Sequence, residues 1–187
     1  MIMKKSNVKN DREPVKVEPE NHIFDICKGH LRGITYNPKL DSSNVIIPEE
    51  IEEIDTGCFK DDQYVTSVIL PKNLKIINSG AFTNCHKLIA VKFNDKIKRI
   101  GEYAFSRTMI LGIELPDSVI DIGRNAFADN MWMRSVTMSN NLYNKIKGKF
   151  FNYFPDTITE VIIHNIKNVD SREDEPEYKR LSIRDIR

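Results

Sequence analysis

Cys85 and His86 come closest, by residue type, to doing chemistry in this chain. A thiol beside an imidazole is a nucleophile when the two meet in space and a third group orients the ring. Adjacent residues point in different directions, however, and Cys85 stands at a position that faces inward, so the pair predicts a buried structural thiol. His22, His30, His86 and His164 lie at no metal-ligand spacing. Runs such as Ile122 to Phe127 contain one glycine each and build no phosphate-binding loop. Glu49, Glu50, Glu52 and Glu53 lack the ordered alternation of a calcium loop. No pair of carboxylates is singled out for acid–base work. The expectation is a chain with no catalytic site, no metal and no cofactor.

The inward position of Cys85 follows from self-similarity. VIIPEEIEEIDTGCF begins at Val45, VILPKNLKIINSGAF at Val68, VKFNDKIKRIGEYAF at Val91 and IELPDSVIDIGRNAF at Ile113, with a looser copy, VTMSNNLYNKIKGKFF, at Val136. The starts step by 23, 23, 22 and 23 residues. Each copy carries an apolar pair two apart (Val68, Leu70), in most copies a proline, an apolar pair three apart (Leu74, Ile77), then a small residue and a phenylalanine. Phe59, Phe82, Phe105 and Phe127 form one column. A unit this short cannot bury its apolar side alone, so the copies must stack around a shared core. Val68 to Leu70 reads as a short strand stopped by Pro71. Leu74 and Ile77 lie on the return path, and the segment from Gly80 to Phe82 is expected to make a helical turn.

The pattern V-x-L-P-x-x-L-x-x-I-x-x-x-A-F-x-x-C-x-x-L, with Cys85 and Leu88 at its last two marked positions, resembles the BspA-like, or Treponema pallidum type, leucine-rich repeat from about Phe24 to Ile163. The resemblance implies an α/β repeat solenoid: a right-handed coil with a parallel β-sheet on its concave face, about 23 residues per repeat and an N-terminal cap. It also implies protein recognition, often at a cell surface, without catalysis.

The charge, +1 from 28 basic and 27 acidic residues among 187, implies neither nucleic acid nor an anionic membrane as partner. Its distribution is uneven. Val45 to Ser67 holds seven acids against Lys60, a balance of −6, whereas Val91 to Gly112 holds five bases against Asp95 and Glu102, a balance of +3. Two readings stand: charges that keep the return path wet, or an end-to-end dipole that orients a partner. The start MIMKKSNVKNDREPVKVEPE is basic with no apolar run behind it, no run is long enough to span a membrane, and no asparagine begins an N-x-S/T sequon. Three cysteines, an odd number without a C-x-x-C, suit a reducing compartment. The expected localisation is cytoplasmic, or exported if the chain is a fragment.

In chain order, 1–21 reads as a polar arm, 22–44 as a β-hairpin cap, 45–164 as the solenoid, and 165–187 as a truncated repeat with a charged tail. After Phe105 the loop is one residue short, and Ile110 takes the inward site held elsewhere by Val65, Leu88 and Met133. In the copy at Val136, the wider spacing of Leu142 and Ile146 shifts the expected inward phenylalanine to Phe151 and puts Phe154 in the Cys85 column. Ile166 and Val169 form a shortened return. The tail admits a helix from Pro176 or, preferred, a strand over Leu181 to Ile183.

The expected binding residues follow from alternation. Ile46, Ile69, Lys92, Glu114 and Thr137 form one outward row, with Lys92 and Glu114 as neighbours able to pair. Before the strands, one column holds Tyr64, Lys87, Met109 and Trp132. Aromatic residues are enriched at interface hot spots, so Tyr64 and Trp132 are the expected anchors. The readings are an intracellular adaptor or inhibitor module binding a protein partner, a surface adhesin-like module, or a structural repeat that self-associates through a solenoid end.

Overall fold

The computed structural model describes residues 23–36, 44–164 and 178–186. In order these form β1 (Ile23–Cys27), β2 (His30–Thr35), β3 (Asn44–Ile46), β4 (Glu53–Ile54), β5 (Ser67–Ile69), β6 (Ile76–Ile77), β7 (Ala90–Lys92), β8 (Arg99–Ile100), β9 (Gly112–Glu114), β10 (Asp121–Ile122) and β11 (Ser135–Ser139). Helix α1 (Asn140–Ile146), a 3-10 stretch (Lys147–Asn152), β12 (Glu160–His164), β13 (Lys179–Ser182) and α2 (Ile183–Ile186) follow. The expected arm at 1–21, the return through Ile166 and Val169, and a helix from Pro176 lie outside the described residues.

Strands β3, β5 and β7, and then β9, β11 and β12, stack in parallel and in register, Val45 on Val68 on Val91 and Ile113 on Val136 on Val161. Opposite them runs a second parallel ladder, β4-β6-β8-β10, in which Ile54, Ile77, Ile100 and Ile122 turn inward. The return path is therefore itself sheet. Two residues per strand are too few to show an alternation in the sequence. Between the two ladders lies the column of phenylalanines. The ring centroids of Phe59, Phe82, Phe105 and Phe127 follow at 4.7, 5.0 and 5.5 Å with nearly parallel planes. That spacing is close to the strand separation of about 4.8 Å, so one ring per coil stacks without strain.

The expected helical turn at Gly80 to Phe82 is instead a run of β-turns. Cys58 N–H donates to Asp55 O, Lys60 to Gly57 O and Asp62 to Phe59 O. The third residue of the first and last of these turns is left-handed, and the same two places recur in each coil: Gly57, Gly80, Tyr103 and Asn125, then Asp61, Asn84, Arg107 and Asp129. The alternate N–H groups are released to the next coil, where Phe59 donates to Ala81 O, Phe82 to Ala104 O and Phe105 to Ala126 O at 2.7 to 2.8 Å. A helix would have kept those donors within one coil. Gly announces a positive φ and Asn and Asp favour it, but Tyr103 and Arg107 do not, so the pattern was partly concealed.

The last coil corrects a second expectation. Phe151 is exposed, Phe150 is buried, and Phe154 stacks on Phe127 at 5.1 Å. Phe154 thus continues the phenylalanine column and does not enter that of Cys85. Helix α1, with Ser139 accepting from Leu142 N–H at its start, and the 3-10 stretch absorb the extra residues before the column resumes.

The strand side is not one sheet. β3-β5-β7 and β9-β11-β12-β13 are separate, and the break falls where the loop after Phe105 is one residue short. There Met109 N–H reaches Leu88 O, whereas neighbouring coils bond in column, Ile89 to Thr66 O and Arg134 to Leu111 O. A one-residue slip would turn Ile113 outward if pairing continued. The ladder breaks and Ile113 stays inside.

Both ends are closed in part. The β1–β2 hairpin is antiparallel and pairs with β4, so it covers the return ladder. At the other end β13 lies antiparallel on β12, with Leu181 against Val161. The expected strand is there, but reversed in direction, and Ile183 starts α2 where a third strand residue was expected.

Candidate functional site

The strand face is built from residues that the inward columns push outward. With Val45, Val68 and Ile113 buried, Ile46, Ile69, Lys92 and Glu114 are exposed, and Thr137 and Ile162 are half-buried. Ile46 lies beside Ile69, Ile69 beside Lys92, and Thr137 beside Glu114. Lys92 and Glu114 share the outward side, but their strands are unpaired and no ion pair joins them among the described residues. Their expected partnership is lost to the sheet break.

Before the strands the loops form a rim. His86, Arg107, Thr108, Met109, Asp129, Met131 and Trp132 line a groove of about 360 Å³. Trp132 is 55% exposed and Met131 71%. Arg107 Nε holds Asp129 Oδ2 at 3.2 Å across it. Tyr64, the other expected anchor, is 65% exposed and lies 5.2 Å, centroid to centroid, from Tyr36 at the capped end. The structure thus joins Trp132 with Met109 and leaves Tyr64 apart, three coils or roughly 15 Å away at one strand spacing per coil.

Two residues before Trp132, the loop is anchored to the core by Asn130, which was not among the expected site residues. It is fully buried in the inward Cys85 column. Its Nδ2 donates to Phe105 O and Phe127 O, each at 2.7 Å, and its Oδ1 accepts from Thr108 N–H at 3.0 Å and from the Thr108 hydroxyl. An asparagine in an otherwise inward column was the available signal, since a buried amide must be satisfied. Cys85 itself donates to Phe59 O at 3.0 Å while His86 is exposed, so the two do not meet. Burial, and next the Asp62 carboxylate, pushes the Cys85 thiol up to about 12. A thiol held protonated is no nucleophile at neutral pH.

Residues 52–172 match the model of the BspA type leucine rich repeat region in six copies. The chain belongs to that family. The BspA-type coil is also found in solved structures. The pneumococcal vaccine antigen PcpA is 23% identical, with a TM-score of 0.61, over 76% of this chain and 36% of its own. A leucine-rich cell surface protein of Faecalibacterium prausnitzii is 24% identical, with a TM-score of 0.57, over 66% of this chain and 33% of its own. A leucine-rich repeat protein of Bacteroides capillosus is 26% identical, with a TM-score of 0.54, over 65% of this chain and 96% of its own. The chain therefore spans about a third of the first two. None of the curated proteins matches it.

On the return side of this BspA-type solenoid, charges face one another from coil to coil. Lys75 Nζ lies 2.6 Å from Glu52, and Arg99 and Lys145 lie 3.7 and 3.5 Å from Asp121. Glu52 of the acidic first coil and Arg99 of the basic third coil are each paired there with the next coil. Among the described residues no group of three metal-binding side chains occurs, and no helix is long and apolar enough to cross a membrane.

Proposed function

We propose that the chain is a protein-recognition module, an intracellular adaptor or inhibitor, that binds one protein partner on its strand face. The observation that carries this is the exposure on one side of Ile46, Ile69, Ile89, Leu111, Met109, Met131 and Trp132, next to Lys92 and Glu114, which have no ion pair among the described residues. Clustered exposed apolar side chains mark interaction surfaces, whereas scattered ones are ordinary. Tyr64, Trp132, Ile46, Ile69, Lys92, Glu114 and Thr137 are the proposed contact residues. A cytoplasmic setting is supported by three free thiols, Cys27, Cys58 and Cys85. An exported surface module is the second reading, favoured by the description of the F. prausnitzii relative as a cell surface protein.

The test places a photo-crosslinking residue at Ile69 or Leu111 and, as control, at Ile120 or Tyr103 on the return side, in native cells. Crosslinks to a partner from the first two positions alone are expected. The double variant Trp132→Ala, Tyr64→Ala should then weaken that partner's binding by about 2 kcal/mol or more with an unchanged melting temperature. Crosslinks mainly from the return side would overturn the proposal, and crosslinks formed outside the cell would favour the exported reading.

A further inference from the structure

Resting on that reading of the strand face, we infer that the occupant of the Trp132 groove is an acidic, extended peptide segment carrying bulky apolar side chains. The groove offers apolar walls from Met109, Met131 and Trp132, and its own charged pair, Arg107 and Asp129, is closed on itself at 3.2 Å. The charges around it are mostly positive. Lys87 precedes the inward Leu88 on the same rim, and Lys92 stands in the outward row; both are exposed and have no ion pair among the described residues. Arg134 is exposed too, and its guanidinium donates to Met131 O and Met133 O at 2.9 and 3.1 Å, which fixes a positive charge beside Trp132. His86 lines the groove as a further donor. Against these stand Glu114 and, on the next loop beside Asp129 and Met131, Asp156, both exposed and without an ion pair among the described residues. Three cations, of which Arg134 is held in place, against two carboxylates around an apolar groove complement a segment with net negative charge.

The rest of the rim argues for direction. At the Tyr64 end the loop carries Asp61 and Asp62, and Asp62 is occupied in accepting from Tyr64 N–H and Val65 N–H. The Tyr64 end of the rim is therefore acidic and the next coil, at Lys87, basic, so the acidic part of the segment belongs beside Lys87 and Arg134, away from Tyr64. Exposed Ile89 and Leu111 lie in adjacent coils beside the groove, so apolar side chains of an extended segment find contacts beyond one pocket. A nucleic acid would satisfy the cations and stack on Trp132, but it would leave Ile89, Leu111, Met109 and Met131 without apolar partners.

The experiment selects displayed random dodecapeptides on the whole protein, with Trp132→Ala as counter-selection, and measures a single-stranded dT12 oligonucleotide in parallel. Sequences rich in Asp and Glu with Leu, Ile or Phe are expected, and dT12 should bind more weakly than they do. For a selected peptide, Lys87→Glu with Lys92→Glu should weaken binding at least ten-fold, raising salt to 0.5 M should act in the same direction, and the melting temperature should hold. Enrichment of neutral or basic sequences that still need Trp132 would overturn this inference and leave the recognition face standing. Tighter, Trp132-dependent binding of dT12 would replace the peptide with nucleic acid. Enrichment independent of Trp132 would remove the groove as a site, while the crosslinking result decides the strand face separately.

Discussion

The two long sides of the solenoid obey different rules. On the return side, backbone donors pass from coil to coil, Glu52 meets Lys75, and Asp121 meets Arg99 and Lys145. On the strand side the sheet is interrupted, Lys87, Lys92 and Glu114 have no ion pair among the described residues, and large apolar side chains remain exposed. Exposed ion pairs are worth at most about 1 kcal/mol, so the return-side pairs tune register more than they stabilise. The difference teaches that both sides join the coils, but the return ladder runs unbroken from β4 to β10 whereas the strand ladder is cut once and leaves charged and apolar side chains facing out.

The most severe way to break that contrast is to remove what both sides share. Phe105 stacks between Phe82 and Phe127 and takes the edge of Phe93 at 5.9 Å. Phe105→Ala should cost about 3 to 5 kcal/mol in denaturant unfolding, and in a one-dimensional stack it should uncouple the coils on either side. An unchanged midpoint would contradict the shared column.

Next comes Asn130, which lies under the groove yet belongs to the core. Asn130→Ala leaves the Thr108 N–H without its buried acceptor and frees two carbonyls, a loss of about 1 to 3 kcal/mol. Because the loop to Trp132 loses its clamp, the Trp132 fluorescence should shift toward that of solvated indole. Stability lost without a change at Trp132 would detach the groove from the core.

Two glycines sharpen the comparison directly. A Cβ on Gly123 would stand 2.3 Å from Glu102 N, backbone on the return side, whereas one on Gly112 would crowd the Ser135 hydroxyl, at 2.5 Å, with the Ser135 backbone oxygen at an ordinary 3.5 Å. Gly123→Ala should therefore cost about 1 to 3 kcal/mol as the coils are forced apart. Gly112→Ala should stay within about 0.5 kcal/mol because the hydroxyl can rotate away. Equal costs by thermal unfolding would mean that both sides are equally tight.

The smallest effect concerns the return-side charges. Glu52 titrates below the ordinary glutamate range because Lys75 donates a hydrogen bond to it and adds its charge. A depressed carboxylate stabilises the fold above its ordinary range, and the contribution is lost as pH falls through the lowered midpoint. Lys75→Met should move the Glu52 midpoint upward in an NMR titration. A midpoint that stays put would show that the pair does not persist in solution.

Taken alone, the residues determined the solenoid, its period, the inward columns through Val68, Leu74, Ile77 and Phe82, and the outward row. Each coil must bury the same side chains, so the same demand is written several times and can be read by comparing the copies. The family resemblance rested on those same positions. Only the tertiary structure decided what depends on one coil's relation to the next. Two-residue strands are too short to alternate visibly, and Tyr103 adopts a left-handed turn that its own residue type, unlike Gly57, Gly80 and Asn125, does not advertise. The extra residues before Phe154 are absorbed by a helix and do not shift the column. One missing residue after Phe105 left Ile110 and Ile113 inside but broke the sheet between Lys92 and Glu114, because side-chain burial tolerates a local slip and backbone pairing does not. The groove is assembled from three successive loops, at His86, at Arg107 to Met109 and at Asp129 to Trp132. Its shape follows from the stacking of unequal copies, which no single copy encodes.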